Sequence, residues 1–336
     1  MKILYIITLL LIAVLQQVHG QYIPNSGQGF QFASAYNAAF VGVDEFTDVR
    51  FGYRYQMAGY GSNSPQFVNL AANVRLKQPV DLTTNALRPA NASSLSNLVP
   101  KRKRIIHGLG VTVFSEKVGL IKRLGGGLSY AFNYPVSRKF RLAAGVTAFL
   151  ENTQLDMSGI YLGESPDPDP YYNQLMKGST KHSEFSLRGG LLLYSKGFYL
   201  GVSYFPIMNT VIQNSDVNFS QTNKFYQGSV LTGFALPVSA DLMLKPSVLA
   251  VVQSDHKVLL DYSVKGYLKS KAWFGATYRD IQALVFLLGF DFTKTFAVSY
   301  SYEMSVGGLS KFNDGSHDLV LGLRFNNFKG QRAYTW

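Results

Sequence analysis

The sequence predicts an all-β fold, a transmembrane outer-membrane β-barrel of about 14 antiparallel strands. Three observations carry that prediction. An export signal opens the chain, and no later apolar run is long enough to cross a bilayer as a helix. The composition is rich in Tyr (21), Phe (24) and Gly (31), with 15% charged residues and no cysteine. Segment after segment alternates apolar and polar residues with period two, which marks a strand with two unlike faces.

The signal comes first. Lys2 supplies a positive n-region, Ile3 to Leu15 an apolar run, and Val18-His19-Gly20 a small-residue end. This is the pattern of a secretory signal peptide over residues 1–20, with cleavage expected between Gly20 and Gln21. The run falls short of the roughly 20 residues that a spanning helix needs. No cysteine follows it for lipid attachment, and none is available for a disulfide or a thiolate site. Residues 21–336 are then expected to form a single barrel domain that holds itself together.

Alternating segments bounded by turn residues fall at 47–56, 66–76, 105–116, 122–134, 140–151, 182–194, 198–205, 225–235, 241–253, 257–267, 271–279, 281–292, 295–304 and 317–326. Most lie near the roughly 9–11 residues that a tilted strand needs to cross a bilayer. In the first, Val49, Phe51, Tyr53 and Tyr55 oppose Arg50, Gly52, Arg54 and Gln56. In the fourth, Leu124, Gly126, Leu128, Tyr130, Phe132 and Tyr134 oppose Gly125, Gly127, Ser129, Ala131 and Asn133. The fifth sets Leu142, Ala144, Val146, Ala148 and Leu150 against Arg141, Ala143, Gly145 and Thr147. In the thirteenth, Phe296, Val298, Tyr300, Tyr302 and Met304 oppose Ala297, Ser299, Ser301 and Glu303. The last sets Leu319, Leu321, Leu323 and Phe325 against Asp318, Gly322 and Arg324. These polar faces mix small residues with isolated charges, as a crowded lumen does and the outer surface of a soluble sandwich does not. Tyr and Phe near strand ends suit interfacial girdles. The apolar side is expected to face lipid.

Connections follow the same topology. An even-stranded barrel keeps both chain ends in the periplasm, where turns are short. After even strands come short links at 135–139, 195–197, 237–240 and 293–295, and after odd strands come long ones at about 152–181, 206–224 and 305–316. One connection departs from this rule. Residues 77–104, after the second strand, form a long basic periplasmic connection ending in Lys101-Arg102-Lys103-Arg104.

Chemistry is sparse. The net charge of +12 would suggest nucleic acid in another compartment. In an exported barrel the cations belong to lumen, headgroups or loops, so outer-membrane lipid is the expected partner and nucleic acid is not. Beyond His19 there are only His107, His182, His256 and His317, none paired at metal-ligand spacing, and neither GxSxG nor HExxH occurs. A lone His at a strand end reads as an interface or loop residue. Gly125-Gly126-Gly127 lies inside a strand with no following helix, so close packing of neighbouring side chains explains it better than a phosphate loop. Asp167-Pro168-Asp169-Pro170 reads as a rigid outer loop. No catalytic residue, metal site or cofactor is expected, and the chain reads as a non-enzyme.

Several segments occur in a telling order: Tyr36-Asn37-Ala38-Ala39-Phe40-Val41-Gly42, then Phe51-Gly52-Tyr53-Arg54-Tyr55-Gln56-Met57, Gly61, Ser64-Pro65 and Leu70. Further on come Lys245-Pro246-Ser247, Trp273-Phe274-Gly275-Ala276-Thr277-Tyr278-Arg279, Ser299-Tyr300-Ser301-Tyr302-Glu303, Gly315-Ser316-His317-Asp318-Leu319 and Arg324-Phe325. In order and spacing these resemble the PorP/SprF family of outer-membrane proteins, associated with the type IX secretion system and gliding motility of the Bacteroidetes. Ala38 stands where the family usually has Pro, and Met57 where it usually has Trp.

The resemblance implies a non-enzymatic barrel in the outer membrane of a Gram-negative bacterium, supporting secretion or surface attachment of a large partner protein. It implies type IX secretion components as partners. For members resembling SprF it also implies the C-terminal domain of a large secreted adhesin-like protein. Lys101, Arg102, Lys103 and Arg104 are candidate contacts for an acidic periplasmic component. Tyr171 and Tyr172 are candidate contacts in the outer loop at 153–181, where Asp156, Glu164, Asp167 and Asp169 outnumber Lys177 and Lys181. The alternative from another class is a passive porin or a hydrophobic-ligand transport barrel, since a barrel of this size can enclose a channel.

Overall fold

The structure, a computed structural model, describes residues 26–76, 105–156, 181–213, 227–253, 258–268, 271–280, 283–306 and 314–327. Period-two patterning produces one sheet of 15 strand segments. They are β1 (Thr47–Tyr55), β2 (Gln66–Leu76), β3 (Ile106–Val118), β4 (Ile121–Pro135), β5 (Arg141–Leu155), β6 (Lys181–Ser195), β7 (Phe198–Gln213) and β8 (Gln227–Phe234). There follow β9 (Leu236–Pro237), β10 (Leu242–Gln253), β11 (Val258–Leu268), β12 (Ala272–Arg279), β13 (Ala283–Asp291), β14 (Phe296–Ser305) and β15 (Ser316–Phe325). Sequential neighbours pair antiparallel, and β15 pairs with β1, so the sheet closes on itself. β8 and β9 are one stave interrupted at Ala235, since both pair with β10. The wall is therefore a closed barrel of 14 antiparallel strands.

Burial runs opposite to that of a soluble protein. Leu128 is 67% exposed whereas its neighbour Ser129 is 4% exposed. In β14, Ala297, Ser299, Ser301 and Glu303 are buried while Phe296, Tyr300 and Met304 are exposed. The apolar faces point outward to lipid, and the polar faces point into the barrel. Girdles form at both rims. At one, Tyr300 Oη lies 2.7 Å from His317 Nδ1; at the other, His107 Nδ1 lies 2.7 Å from Tyr130 Oη. Each of these two histidines thus sits at a rim beside a tyrosine.

One strand boundary needs correction. The seventh strand was expected to end at 205, with a connection at 206–224. Instead β7 runs to Gln213. Pro206, which lacks an N–H, falls where the register with β6 shifts, between Tyr204↔Gly189 and Met208↔Leu187. Pairing with β6 nevertheless resumes after a register shift, at Met208↔Leu187, and continues to Gln213↔Ser183. Among the described residues, strand length climbs from 9 residues in β1 through 11, 13, 15, 15 and 15 to 16 in β7.

Candidate functional site: a lumen closed by the N-terminal segment

Residues 26–46 do not join the wall. They fold into three short helical turns, Gly29–Phe32, Ala33–Tyr36 and Ala38–Phe40, and fill the lumen. Polar side chains tie the segment to strands around the barrel. Asn37 Nδ2 donates to the carbonyls of Leu191 (3.0 Å) and Val202 (3.2 Å), while its Oδ1 accepts from the Ala39 N–H (2.9 Å). Ser203 Oγ donates to the Tyr36 carbonyl at 2.8 Å, and Asn73 Nδ2 to Ser34 Oγ at 3.0 Å. Arg75 donates to the carbonyls of Gly42 and Val43. The backbone lies almost on the wall. A Cβ at Gly145 would stand 2.4 Å from the Ala38 carbonyl carbon, and one at Gly42, where φ is +74°, 2.6 Å from Gly108 Cα. Any side chain at either place would push the segment away.

The inward apolar positions of the wall are those the segment covers. Ala33, Ala39, Phe40 and Val43 pack with Leu192, Tyr199, Leu231 and Val251. Phe30 and Phe46 pack with Tyr267, Trp273 and Leu287, and Phe32 with Ala71 and Val320. Burying an aromatic side chain of this size contributes about 1.5–3 kcal/mol.

A sealed ionic cluster holds the start of the segment. Asp318 on β15 accepts from the Gly27 N–H (3.1 Å), Ser26 Oγ (3.3 Å), Ser301 Oγ (3.1 Å) and Arg54 Nη1 (2.8 Å). Arg54 Nη2 also donates to Glu303 Oε1 at 2.8 Å, and Glu303 Oε2 accepts from Arg279 Nη1 at 2.8 Å. Arg279 grips Asp261 with two parallel bonds of 3.0 and 3.1 Å. Charge-assisted, bidentate bonds of this kind are about twice as strong as neutral ones. Beside the cluster, Gln28 Oε1 accepts from Ser299 Oγ (2.6 Å), Gln31 Nε2 donates to the same hydroxyl oxygen (2.7 Å), and Arg50 reaches Gln31 (3.3 Å). Lys265 Nζ stands 3.6 Å over the Phe30 ring, a cation–π contact made with the segment itself. Enclosure in the lumen raises the pKa of the Tyr36 hydroxyl above its ordinary value, with Arg279 opposing, so Tyr36 stays neutral.

A second ionic group lines β3 to β6. Arg123 pairs with Glu116 and lies 3.8 Å from Glu151, whose other oxygen is 3.6 Å from Arg188. The Arg188 guanidinium stacks 3.5 Å above the Phe149 ring, which in turn stacks on Phe114 at 5.9 Å. Gly125 and Gly127 make room for those rings, since a Cβ at either would come within 2.5 Å of one. The triple glycine is a packing device.

Lys101, Arg102, Lys103, Arg104, Tyr171 and Tyr172, the candidate partner contacts, lie outside the described residues, as does the Asp167–Pro170 stretch. Among the described residues no group of three or more His, Asp or Glu could hold a metal ion. Sequence reasoning missed the lumenal segment. A signal was present: no charged residue occurs from Gln21 to Val43, in a chain of net charge +12.

Strand closure, outward apolar faces and the filled lumen define a class, an outer-membrane β-barrel closed by its own N-terminal segment. The chain belongs to the family described as type IX secretion system membrane protein PorP/SprF, whose model matches residues 18–323. It is a membrane protein of that secretion system, located in the outer membrane. The Tyr36–Gly42 stretch that carries part of the resemblance is part of the lumenal segment. Among solved structures, the chain is similar to the Ralstonia pickettii toluene transporter TbuX at 12% identity, with 88% of this chain and 93% of that one covered and a TM-score of 0.47. It is similar to Acinetobacter baumannii Omp33 at 12% identity, covering 84% and 100%, with a TM-score of 0.46. The P. putida toluene transporter TodX gives 10% identity, 86% and 92% coverage, and a TM-score of 0.45. No curated protein matches the sequence.

Proposed function

We propose that this barrel is a non-enzymatic, non-conducting subunit of the type IX secretion apparatus that supports secretion or surface attachment of one large partner protein. The closed lumen carries this reading. An open porin needs the path that residues 26–46 occupy, which leaves function to the rims. In this reading residues 1–20 are removed at export, and the tight turns at 136–140 and 196–197 face the periplasm. Lys101, Arg102, Lys103 and Arg104 are assigned to that side, where each cation contributes about 1 kcal/mol against an anionic surface. They would meet an acidic component of the machinery. Tyr171 and Tyr172 are assigned to the outer side as protein contacts, and the C-terminal domain of an adhesin-like protein is the partner that the family suggests.

Two measurements test the reading. Purified protein in planar bilayers is expected to stay silent, and stable conductance would restore the transport alternative. Deleting the gene is expected to remove one large protein from the cell surface. An unchanged surface proteome would contradict the proposal.

A further inference from the structure

The outward face of β3 to β6 ends in a row of lysines. Lys117 pairs directly with Lys122, Lys122 with Gln154, and Gln154 with Lys181. Directly paired residues share a face. Here it is the lipid-side face, because Glu116 and Arg123, next to Lys117 and Lys122 in the chain, point into the lumen. The row continues the aromatic girdle of the same rim. Tyr302 pairs with His317, His317 with Tyr55, Tyr55 with Gln66, and Gln66 with Lys117. On the opposite wall, the exposed outward residues at this end of the strands include Tyr262, Tyr278 and Met304. The cations are gathered on one side.

Height places these lysines at the membrane surface. On β4 the exposed outward residues Tyr134, Tyr130, Leu128 and Leu124 lead up to Lys122. From Tyr134 to Leu124 the strand climbs about 25 Å, at a rise of about 3.3 Å per residue and a tilt near 40°. That matches the roughly 25 Å of apolar band in such barrels. Lys122 lies one pleat further, about 5 Å beyond the band, where headgroups begin. Neighbouring strands change character at the same rows. Below the lysines come Ser115, Leu124, Asn152 and Ser183, and below those Val113, Gly126, Leu150 and Phe185. The tilt inclines each row by about 3 Å per strand, which long lysine stems absorb.

We infer that Lys117, Lys122, Gln154 and Lys181 bind the phosphate groups of an anionic lipid, a phosphorylated glycolipid of the outer leaflet. Lys122 Nζ lies 2.5 Å from Asp156 Oδ2, so one carboxylate stands against three ammonium groups. Lys117 faces Lys122 directly, and like charges directly opposite one another are destabilising. A phosphate between them removes that cost, and the Gln154 amide adds a neutral donor beside it. The acyl chains then lie on Leu150 and Phe185 beneath. The choice of leaflet rests on the reading that the turns at 136–140 and 196–197 face the periplasm. The phosphate site itself is independent of the proposed role in secretion.

Diphosphoryl lipid A is the probe, titrated onto the full-length barrel in detergent and read by native mass spectrometry. Wild type is expected to bind it more tightly than phosphatidylglycerol, and to bind the dephosphorylated lipid about tenfold more weakly. The variant Lys117→Gln/Lys122→Gln/Lys181→Gln is expected to keep heat-modifiable migration and to lose about tenfold in affinity, with a flatter salt dependence. Asp156→Asn is expected to bind about threefold more tightly. Arg138→Gln/Lys139→Gln, at the opposite rim, is expected to match wild type. Equal binding by wild type and the triple variant, or of lipid A with and without its phosphates, overturns the inference. So does an equal loss in the Arg138/Lys139 variant, which would show only general attraction to cations. Asp156→Asn binding no tighter than wild type contradicts it even if the triple variant fails to fold. A preference for phosphatidylglycerol, lost in the triple variant, would move the row to the other leaflet and overturn the lipid assigned here. The proposed role in secretion stands under each of these results.

Discussion

Two ionic clusters share one lumen and differ in what covers them. In the cluster of Asp318, Arg54, Glu303, Arg279 and Asp261, no side chain is more than 11% exposed, and Ser26 and Gly27 bond directly to it. In the group around Glu151, Arg123 is 29%, Arg188 21% and Glu151 18% exposed, and only Glu116 is sealed. Both sets use the same residue types at inward positions of the same kind of strand. The difference is the N-terminal segment, whose start bonds to the first cluster. It converts lumenal charges from solvated pairs into a structural anchor. Removing one member of the sealed set strands a charge out of water, whereas water can replace a partner in the open one.

Deleting residues 26–46 should break this comparison most completely. The deletion is expected to turn a silent barrel into a conducting one in planar bilayers and to lower its heat-modifiability midpoint. Arg54→Met comes next, because it leaves Asp318 and part of Glu303 uncompensated. Its expected cost is about 3–5 kcal/mol, read from denaturant unfolding in detergent. In the deletion background the same substitution should cost distinctly less, and a double-mutant cycle measures that coupling. Leu128→Arg serves as the outward control. It places a charge toward hydrocarbon, costs about 2–4 kcal/mol, and should do so equally with or without the segment. The smallest effect belongs to the open group, where Glu151 lies 3.8 Å from Arg123 and 3.6 Å from Arg188, and Glu151→Gln should change stability by less than about 1 kcal/mol. A cost as large as that of Arg54→Met would erase the distinction between the clusters.

The wall was legible in the sequence and its contents were not. Val298, Tyr300 and Tyr302 could be read as one face because period two is a local property, enforced by the pleat. Pro206 marked the expected end of β7, yet pairing with β6 resumes past it and continues to Gln213. The charges Arg54, Glu303 and Asp318 were visible as isolated inward residues. Their pairing was not, because it depends on how strands far apart in sequence are staggered around the barrel. The lumenal segment was hardest to read. Its short turns have no sustained period, and its anchors, such as Gly27 to Asp318, lie 291 positions away along the chain. The lack of charge from Gln21 to Val43 was the one trace it left.

The central claim is that residues 26–46 occupy the lumen, and a cross-link tests it most directly. A Cβ at Gly27 would lie 2.8 Å from Val285 Cγ1 on the inward face of β13, close enough for the Cβ–Cβ separation of about 3.8 Å that a disulfide needs. The chain has no other cysteine to interfere. Gly27→Cys/Val285→Cys should form an intramolecular disulfide nearly completely in native outer membranes, seen as a migration shift that reductant reverses, with either single variant unshifted. A folded, heat-modifiable double variant whose two thiols both stay reactive to a membrane-permeant maleimide under oxidising conditions would place the segment outside the barrel and contradict the account.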